Sequence, residues 1–460
     1  MVEGNRGFIL ASARYDAPSL CVEVAATADA AATAATAMPI RGEVCTDIRF
    51  VDTDWTLHLV RDESKPAQKA FWWEMRHKTD GTKHRCKHSV DSDQPTANPG
   101  GASGDPAHEQ WLQDNICYRP NDIIISTFPK CGTTLTENIV LLLLNGGSLE
   151  RLDPLSKNSV QHGVDPMGRG KIWPEGCLVP KFGDKPPNRP PAEEFVPVTL
   201  EQFEQLPEPR VIKTHAPVPK LLRGGLPCDG PPRPAKYIVC TRNPLDACVS
   251  CYYHAWNPHK SGWPFEAWAL AWLAGAEMFG SYFTWHREWY LLYSNPPPGV
   301  EILWVYYEAL LESPNAEVQR IADFLGVDYR TDPSLIERVV NGSSFDSMKS
   351  AADKAKESAD AAGDTRPSAS SDHLRKGIAG DWRNHFTPML SAKFKVAFAA
   401  EMEECEGLNY SLGTADDGVR ETMSVASCLA LIKFADAELP EDDPDWKPPD
   451  EQTTSDGVLV

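Results

Sequence analysis

The sequence lacks any apolar run approaching the about 18 residues of a membrane-spanning helix, and its first residues lack the apolar core of a secretory signal. An excess of positive charge is also absent, because 45 lysines and arginines stand against 65 aspartates and glutamates. The net charge of −20 argues against general binding to nucleic acids or anionic membranes. These absences predict a cytoplasmic protein with neither a nucleic acid nor a membrane as its partner.

Cysteine spacing gives little support for a metal site. Twelve cysteines are scattered along the chain, and only Cys248 and Cys251 have Cys-x-x-Cys spacing, with no second pair to complete a zinc site. A redox or metal-binding pair is an alternative, but both residues fall in a predicted helix beside Ser250, which favours buried, small apolar side chains. We therefore expect that no metal is required.

The chain is long enough for one large domain with additional segments. Residues 1–42 form a low-complexity segment rich in Ala and Thr, and partial alternation within 43–88 predicts a small β-rich extension. Residues 89–107 have the composition of a linker. The main domain is predicted at 108–412, and 413–460 end in an acidic tail that we expect to be disordered. The pattern leaves open whether the extension forms a separate sheet or packs on the main domain.

Short apolar segments alternate with helical segments in the main domain. They predict buried strands at residues 123–127, 211–213, 236–241 and 302–306. Strands separated in this way by helices form parallel sheets. The predicted fold class is therefore α/β, with a central parallel sheet flanked by helices and ligands at the carboxyl ends of the strands.

The loop at residues 128–134 connects the first of these strands to a leucine-rich helix. In many proteins a strand followed by a tight loop and a helix directs backbone N–H groups and the helix N-terminus at a phosphate. Lys130 adds a positive charge to this loop. The common nucleotide triphosphate loop requires Gly-x-x-x-x-Gly-Lys-Ser/Thr, whereas here Lys130 precedes the loop's only glycine, Gly132. The loop is P-loop-like but of a different kind.

The order Pro-Lys-Cys-Gly-Thr-Thr at 129–134 resembles the 5′-phosphosulfate loop of sulfotransferases that use 3′-phosphoadenosine 5′-phosphosulfate (PAPS). Further blocks follow in the family's order: Lys-Thr-His at 213–215, Arg-Asn-Pro at 242–244, and Arg-Lys-Gly-Ile-Ala-Gly-Asp-Trp at 375–382. Together they resemble the cytosolic sulfotransferase family over about residues 108–412. The resemblance implies transfer of the sulfonate group from PAPS to a hydroxyl or amine of a small-molecule acceptor by in-line displacement.

Three residues are the candidates for catalysis. His215 is the best general base, because a neutral imidazole accepts a proton near pH 7 and the family has a catalytic histidine in this block. The resemblance implies that Lys130 contacts the bridging oxygen of the leaving group and that Lys213 helps to hold the sulfonate. The alternatives are a structural histidine and solvated surface lysines.

The resemblance also assigns the residues that hold PAPS. They comprise the loop, the 3′-phosphate site, two further nucleotide contacts and an aromatic side chain that stacks on adenine. In that order they are Lys130, Cys131, Gly132, Thr133, Thr134 and Leu135; Arg242, Ser250, Arg375, Lys376 and Gly377; Tyr307 and Ser343; and Phe345.

The chain departs from the family pattern at several of its positions. Cys131 stands where Ser is usual, and Leu135 replaces a Trp, which removes one aromatic face of the adenine site. His373 stands where an aromatic residue is common. The family's Lys-Thr-Val-Glu dimer motif is degraded, so dimerisation by that route is not expected and the oligomeric state is open. The residues that depart from that motif are Arg383, Thr387, Pro388 and Ala392.

Two rival functions make different demands on the sequence. A nucleotide kinase would need magnesium ligands and a lysine after the glycine, and a non-catalytic nucleotide-binding protein would not need His215 or Lys130.

Nine prolines between residues 174 and 209 argue against helix and interior strand and predict a surface insertion near the acceptor pocket. Residues 351–371 are predicted to form a mobile loop. The acceptor itself cannot be named from the sequence.

Overall fold

The computed structural model describes the main domain and part of the extension before it. The described residues are 47–49, 53–61, 71–90, 106–148, 173–179, 198–206, 208–218, 235–254, 259, 261–276, 279–361, 374–414 and 418–428. The predicted low-complexity segment at 1–42, most of the linker, His373 and the acidic tail lie outside these residues.

The elements alternate between strands and helices through the main domain. In chain order they are β1 (Asp47–Arg49), β2 (Trp55–Arg61), β3 (Phe71–His77), β4 (Lys83–Val90), α1 (Pro106–Asn115), β5 (Ile123–Thr127), α2 (Thr133–Leu144), α3 (Pro174–Cys177), β6 (Leu178–Val179), β7 (Val198–Thr199), α4 (Leu200–Glu204), β8 (Val211–Thr214), β9 (Ala235–Thr241), α5 (Pro244–Tyr252), α6 (Phe265–Leu273), α7 (Tyr282–Ser294), β10 (Val300–Tyr306), α8 (Tyr307–Glu312), α9 (Pro314–Leu325), α10 (Leu335–Gly342), α11 (Phe345–Ala361), a 3₁₀ turn (Asp381–Asn384), α12 (Pro388–Glu401), β11 (Asn409–Thr414) and β12 (Arg420–Ser424). Across the described residues, no helix is long and apolar enough to cross a membrane.

Four parallel strands form the central sheet, in the order β10–β9–β5–β8. Ile124 of β5 pairs with Ile212 of β8 on one side and with Tyr237 of β9 on the other. All five residues of β5 are buried, as expected for a strand that is covered on both faces. The prediction of an α/β fold with a central parallel sheet is confirmed.

Two apolar cores cover the two faces of this sheet. Successive side chains of a strand point to opposite faces, so Ile124 and Val239 belong to the larger core while Ile125 and Ile238 belong to the smaller one. Helices α5, α6, α7 and α12 contribute to the larger core, and α2, α9 and α10 contribute to the smaller one. Because all four strands run in the same direction, their carboxyl ends meet at one edge of the sheet.

The β-rich extension forms a four-stranded antiparallel sheet in the order β1–β2–β3–β4. Its inward side chains, including Trp55, Leu57 and Trp73, are buried within the larger core of the main domain. The ring of His84 on β4 lies 5.0 Å from the ring of Trp263, which precedes α6. Of the two arrangements that the sequence leaves open, the structure shows the one in which the extension packs on the main domain.

The described fold continues past the domain limit predicted at residue 412, which falls inside β11. This strand pairs with β12 in an antiparallel hairpin. Tyr410, Met423 and Cys428 are buried in the larger core. The hairpin closes that core beside α12, so the packed part of the chain extends at least to Cys428.

Three helices lie where the sequence predicts irregular structure. Proline occupies the first position of α3, where its missing N–H costs nothing. Helix α4 fits between two prolines and begins with a capping box formed by Thr199 and Gln202. Helix α11 extends to Ala361 and buries Met348 and Ala352, four residues apart on one face. The predictions of no helix between 174 and 209 and of a loop from residue 351 are wrong for these segments.

Candidate active site

The loop that follows β5 has an unusual backbone. Lys130 has φ +66° and Gly132 has φ +100°, and the Cys131 N–H donates to the Phe128 carbonyl over 3.1 Å. A Cβ atom on Gly132 would lie 2.9 Å from both Cys240 Sγ and Tyr307 Cδ2. Only glycine fits here, and helix α2 begins at the next residue, with N–H groups that have no partner within the helix.

Further predicted loop residues surround this turn. The Thr133 hydroxyl lies 2.6 Å from the hydroxyl of Thr127 at the end of β5, and Thr134 is partly exposed one position further along α2. Burial raises the pKa of the Cys131 thiol, so this side chain is neutral. Leu135 packs in the smaller core and is 9% exposed, which explains how an apolar residue is accommodated there.

His215 follows β8 and is nearly buried against the end of β5. Its Nδ1 lies 2.8 Å from the carbonyl oxygen of Thr127. A carbonyl only accepts hydrogen bonds, so Nδ1 carries the proton, and the neutral ring then has its lone pair on Nε2. The rings of Trp173 and Phe279 stand edge-on to the imidazole at 5.6 and 5.2 Å. This tautomer and these walls suit a base that accepts a proton on Nε2.

The short helix α3 supports the Lys-Thr-His block. Lys213 Nζ lies 4.5 Å above the ring of Trp173, at a distance that allows a cation–π interaction. The Thr214 hydroxyl donates to the buried carboxylate of Glu175 and accepts from the Ala216 N–H over 2.9 Å. Trp173 and Glu175 were not identified from the sequence, because nothing in the proline-rich stretch marks them as neighbours of His215.

Positive charges converge on Lys130. Burial lowers the pKa of Lys130 to about 8, and the charges of Arg242, Lys213 and Arg375 act in the same direction. Lys130 Nζ also lies 3.5 Å from Nδ1 of His254, which follows the last turn of α5. A charged ammonium only donates, so His254 is the acceptor in this contact. The sequence had assigned no role to His254.

Arg242, directly after β9, connects the loop to the Arg-Lys-Gly block. Its guanidinium donates to the carbonyl oxygens of Lys130 over 3.3 Å and of Ile378 over 3.0 Å. Its Cζ atom lies 4.4 Å above the ring of Tyr307 at the start of α8. The structure thus brings three predicted cofactor residues, Lys130, Arg242 and Tyr307, into contact.

The Arg-Lys-Gly block is held by the carboxylate of Asp381, to which the sequence assigned no role. Arg375 donates to Asp381 Oδ2, and Lys376 Nζ lies 2.8 Å from Asp381 Oδ1. Gly377 has φ +67°, and a Cβ atom there would lie 2.3 Å from the ring of Phe345. The predicted adenine-stacking residue and the predicted phosphate ligands are therefore neighbours.

The two remaining predicted residues lie nearby without a contact that identifies a role. Ser250 is half-buried on α5, the helix whose Asp246 carboxylate accepts from the N–H groups of Gly380 and Trp382. The Ser343 hydroxyl donates to the Val340 carbonyl over 3.3 Å at the end of α10. Within the described part of the chain, no group of three or more His, Cys, Asp or Glu side chains is arranged to hold a metal ion.

Fold and site together define an α/β protein with a cation-lined loop and a buried histidine at the carboxyl edge of its parallel sheet. Residues 120–406, more than half of the chain, match the sulfotransferase domain, and the chain belongs to this family. It is 30% identical to rat sulfotransferase 1A1 (Rattus norvegicus) over 301 residues, which cover 64% of this chain and 88% of the relative. Sulfotransferase 1B1 of the dog (Canis lupus familiaris) is 31% identical over 293 residues, covering 62% and 84%.

Two solved structures are similar to the chain. Mouse sulfotransferase SULT7A1, complexed with PAP, is 22% identical, covers 64% of this chain and 88% of its own, and has a TM-score of 0.43. Retinol dehydratase, in a complex with retinol and PAP, is 19% identical, covers 72% and 90%, and has a TM-score of 0.46.

Proposed function

We propose that this protein transfers the sulfonate group of PAPS to a hydroxyl or amine of a small-molecule acceptor, with His215 as general base. One observation carries the proposal: Lys130, Lys213, Arg242 and His215 converge at a single edge of the sheet. Family membership supports the transfer of sulfonate. The donor, the base and the in-line displacement are the parts that we propose.

The residues fit the donor. PAPS carries negative charge at two places, the 5′-phosphosulfate and the 3′-phosphate, and it supplies an activated sulfonate with a phosphate leaving group. The chain offers cations in two groups, Lys130 with Lys213 at the loop and Arg375 with Lys376 in the Arg-Lys-Gly block. Arg242 contacts the backbone of both groups. Gly132 leaves space where any larger residue would meet Cys240 and Tyr307.

His215 is proposed to remove the proton of the acceptor. The bond from Nδ1 to the Thr127 carbonyl holds the imidazole in the tautomer whose Nε2 accepts a proton. The rings of Trp173 and Phe279 stand edge-on to the imidazole and form apolar walls beside it. Glu175 stabilises this arrangement through Thr214.

Lys130 and Lys213 are proposed to stabilise negative charge as it develops during transfer. Charges act more strongly in a buried site than in water, so preorganised cations are the largest contribution that side chains make to such reactions. Three neighbouring cations already act on Lys130, and its ammonium is destabilised without an anion. An incoming phosphosulfate would relieve that repulsion.

The proposal is tested by transfer of radiolabelled sulfonate from PAPS to a panel of phenols, sterols and amines. We expect the wild type to label at least one acceptor, with or without a chelator, because no step requires a metal. His215→Ala should lower turnover by about 10²-fold or more, while binding of the product adenosine 3′,5′-bisphosphate (PAP), measured by calorimetry, stays nearly unchanged. His77→Ala, a histidine of the antiparallel sheet, is the control and should be fully active.

Near-wild-type turnover of His215→Ala would remove this residue from the mechanism. A wild type that binds PAP but labels no acceptor in the panel or in a cell extract would instead favour the rival function of a non-catalytic nucleotide-binding protein.

A further inference from the structure

Asp381 is the counter-ion of the Arg-Lys-Gly block. Its side chain is only 1% exposed. It accepts hydrogen bonds from Arg375 and, over 2.8 Å, from Lys376, while Asn384 Nδ2 donates to the same carboxylate over 2.9 Å. The imidazole Nε2 of His385 lies 3.6 Å away. Both cations to which we assign the 3′-phosphate of PAPS thus already bind an internal anion.

The carboxylate is fixed in place by its backbone. The N–H groups on either side of Asp381, those of Gly380 and Trp382, donate to Asp246 over 2.7 and 2.9 Å. Gly380 has φ +92°, and the 3₁₀ turn begins at Asp381. Asp246 in turn lies in the first turn of α5 and accepts from Asn243. The backbone that carries Asp381 is therefore held on both sides, which keeps its carboxylate close to the two cations.

Asp381 also stays ionised. Burial alone would raise its pKa, but hydrogen bonds from His385, Lys376 and Arg375 outweigh burial and hold the pKa well below its usual range. The negative charge is consequently present at every pH at which the protein would work.

We propose that Asp381 is a specificity-determining residue that competes with the 3′-phosphate of the nucleotide for Arg375 and Lys376 and so limits how tightly the nucleotide is held. The inference rests on the proposed function, because it takes a nucleotide with a 3′-phosphate as the ligand of this block.

The competition is partial, because Asp381 accepts from only one guanidinium nitrogen of Arg375. A guanidinium has five N–H donors and an ammonium has three, and Asp381 uses only some of them. The 3′-phosphate can contact the other guanidinium donors of Arg375, as well as Arg242, which reaches the carbonyl of the neighbouring Ile378. The block thus keeps its recognition of phosphate while its net charge is reduced.

Asp381 has two opposing effects on binding. It orders Arg375 and Lys376 before the nucleotide arrives, which lowers the entropy cost of binding. It also places a fixed negative charge beside a phosphate group that brings about two more. Because Asp381 is buried, water and salt screen this repulsion less than at a surface, and we take the repulsion to be the larger effect. Weaker binding of the product PAP favours its release, a step that limits turnover in many enzymes.

Calorimetric titrations with PAP and with 5′-AMP, which lacks the 3′-phosphate, test the inference. Asp381→Asn keeps the shape and one acceptor oxygen but removes the charge, and Asp381→Ser removes the charge with a smaller side chain. We expect PAP to bind about tenfold more tightly to the folded variants than to the wild type, while affinity for 5′-AMP changes less than about twofold. Thermal melting identifies the variants that are folded.

Asp332→Asn is the matched control, because Asp332 also pairs with an arginine, Arg338, but outside this block. It should leave both affinities unchanged, which excludes an effect of net charge. The inference is overturned if the folded Asp381 variants bind PAP more weakly than the wild type or with the same affinity. It is also overturned if their affinities for PAP and for 5′-AMP change by the same factor. If the wild type does not prefer PAP to 5′-AMP, the proposed function itself fails, so the two failures are distinguishable.

Discussion

The two ends of the site use the same kinds of basic residue in different electrostatic surroundings. At the loop, Lys130 is half-buried, and desolvation together with the charges of Arg242, Lys213 and, from the other end, Arg375 lowers its pKa to about 8. In the Arg-Lys-Gly block, Arg375 and Lys376 share the carboxylate of Asp381. At the loop the cations repel one another until an anion binds between them, which suits the reacting end of a donor. The Arg-Lys-Gly block is already neutralised in part, which suits reversible recognition.

The largest expected effect separates chemistry at the loop from recognition at the block. Lys130→Met should lower turnover by about 10²–10³-fold, because it removes a preorganised charge from the reacting end. Lys376→Met should weaken PAP binding by about tenfold and leave turnover at saturating donor close to that of the wild type. Steady-state kinetics and calorimetry on both variants measure this. Equal losses of turnover in the two variants would break the distinction between the two ends.

Gly377 links the block to Phe345, the proposed adenine-stacking residue. Gly377→Ala combines φ +67° with a Cβ atom 2.3 Å from the Phe345 ring, so the ring or the block must move. We expect a loss of about 1–3 kcal/mol in the free energy of unfolding and weaker PAP binding, measured by chemical denaturation and calorimetry.

Gly326→Ala is the control for that substitution. Gly326 ends α9 with φ +75° but has no atom within 4 Å of an added Cβ. Its free energy of unfolding should fall by only about 1 kcal/mol, the cost of the positive φ for alanine, and it should bind PAP normally. If the two alanine variants behave alike, the contact between Gly377 and Phe345 has no energetic importance.

The smallest effect is a proton taken up when PAP binds. The pKa of Lys130 is about 8 without ligand, and a bound anion stabilises the ammonium and raises this pKa. At pH 7 Lys130 is already largely protonated, so uptake should be small there and should grow toward pH 9, where the ligand-free amine is largely neutral. Calorimetry in buffers with different ionisation enthalpies measures the uptake.

Two variants assign that proton. Lys130→Met should abolish the uptake at pH 9, whereas Lys376→Met should keep it, because Lys130 is still present. Uptake that persists without Lys130 would show that another group titrates on binding.

The loop and the Lys-Thr-His block were predictable from sequence because each lies within a few consecutive residues at a strand end. The sheet followed from four short apolar segments for the same reason. Trp173 and Glu175 were not predictable as partners, since they reach their neighbours only through tertiary packing. Asp381 lies in the same short block as Arg375 and Lys376, but its residue type alone did not mark it as their counter-ion. The prediction of a loop from residue 351 missed the end of helix α11, whose Met348 and Ala352 form a buried apolar stripe. The packing of Trp55 and Trp73 on the main domain likewise depends on contacts distant in sequence.

The most direct test of the two-ended site is the transfer of sulfonate by the wild type from PAPS and from adenosine 5′-phosphosulfate, which differ only in the 3′-phosphate. Loss of a charge-assisted phosphate contact costs roughly 1.5–3 kcal/mol. We therefore predict that kcat/KM falls by about 10–10²-fold without the 3′-phosphate, mainly through KM, while kcat stays within about threefold. Equal kcat/KM for the two donors, or a loss confined to kcat, would contradict the assignment of chemistry to the loop and recognition to the Arg-Lys-Gly block.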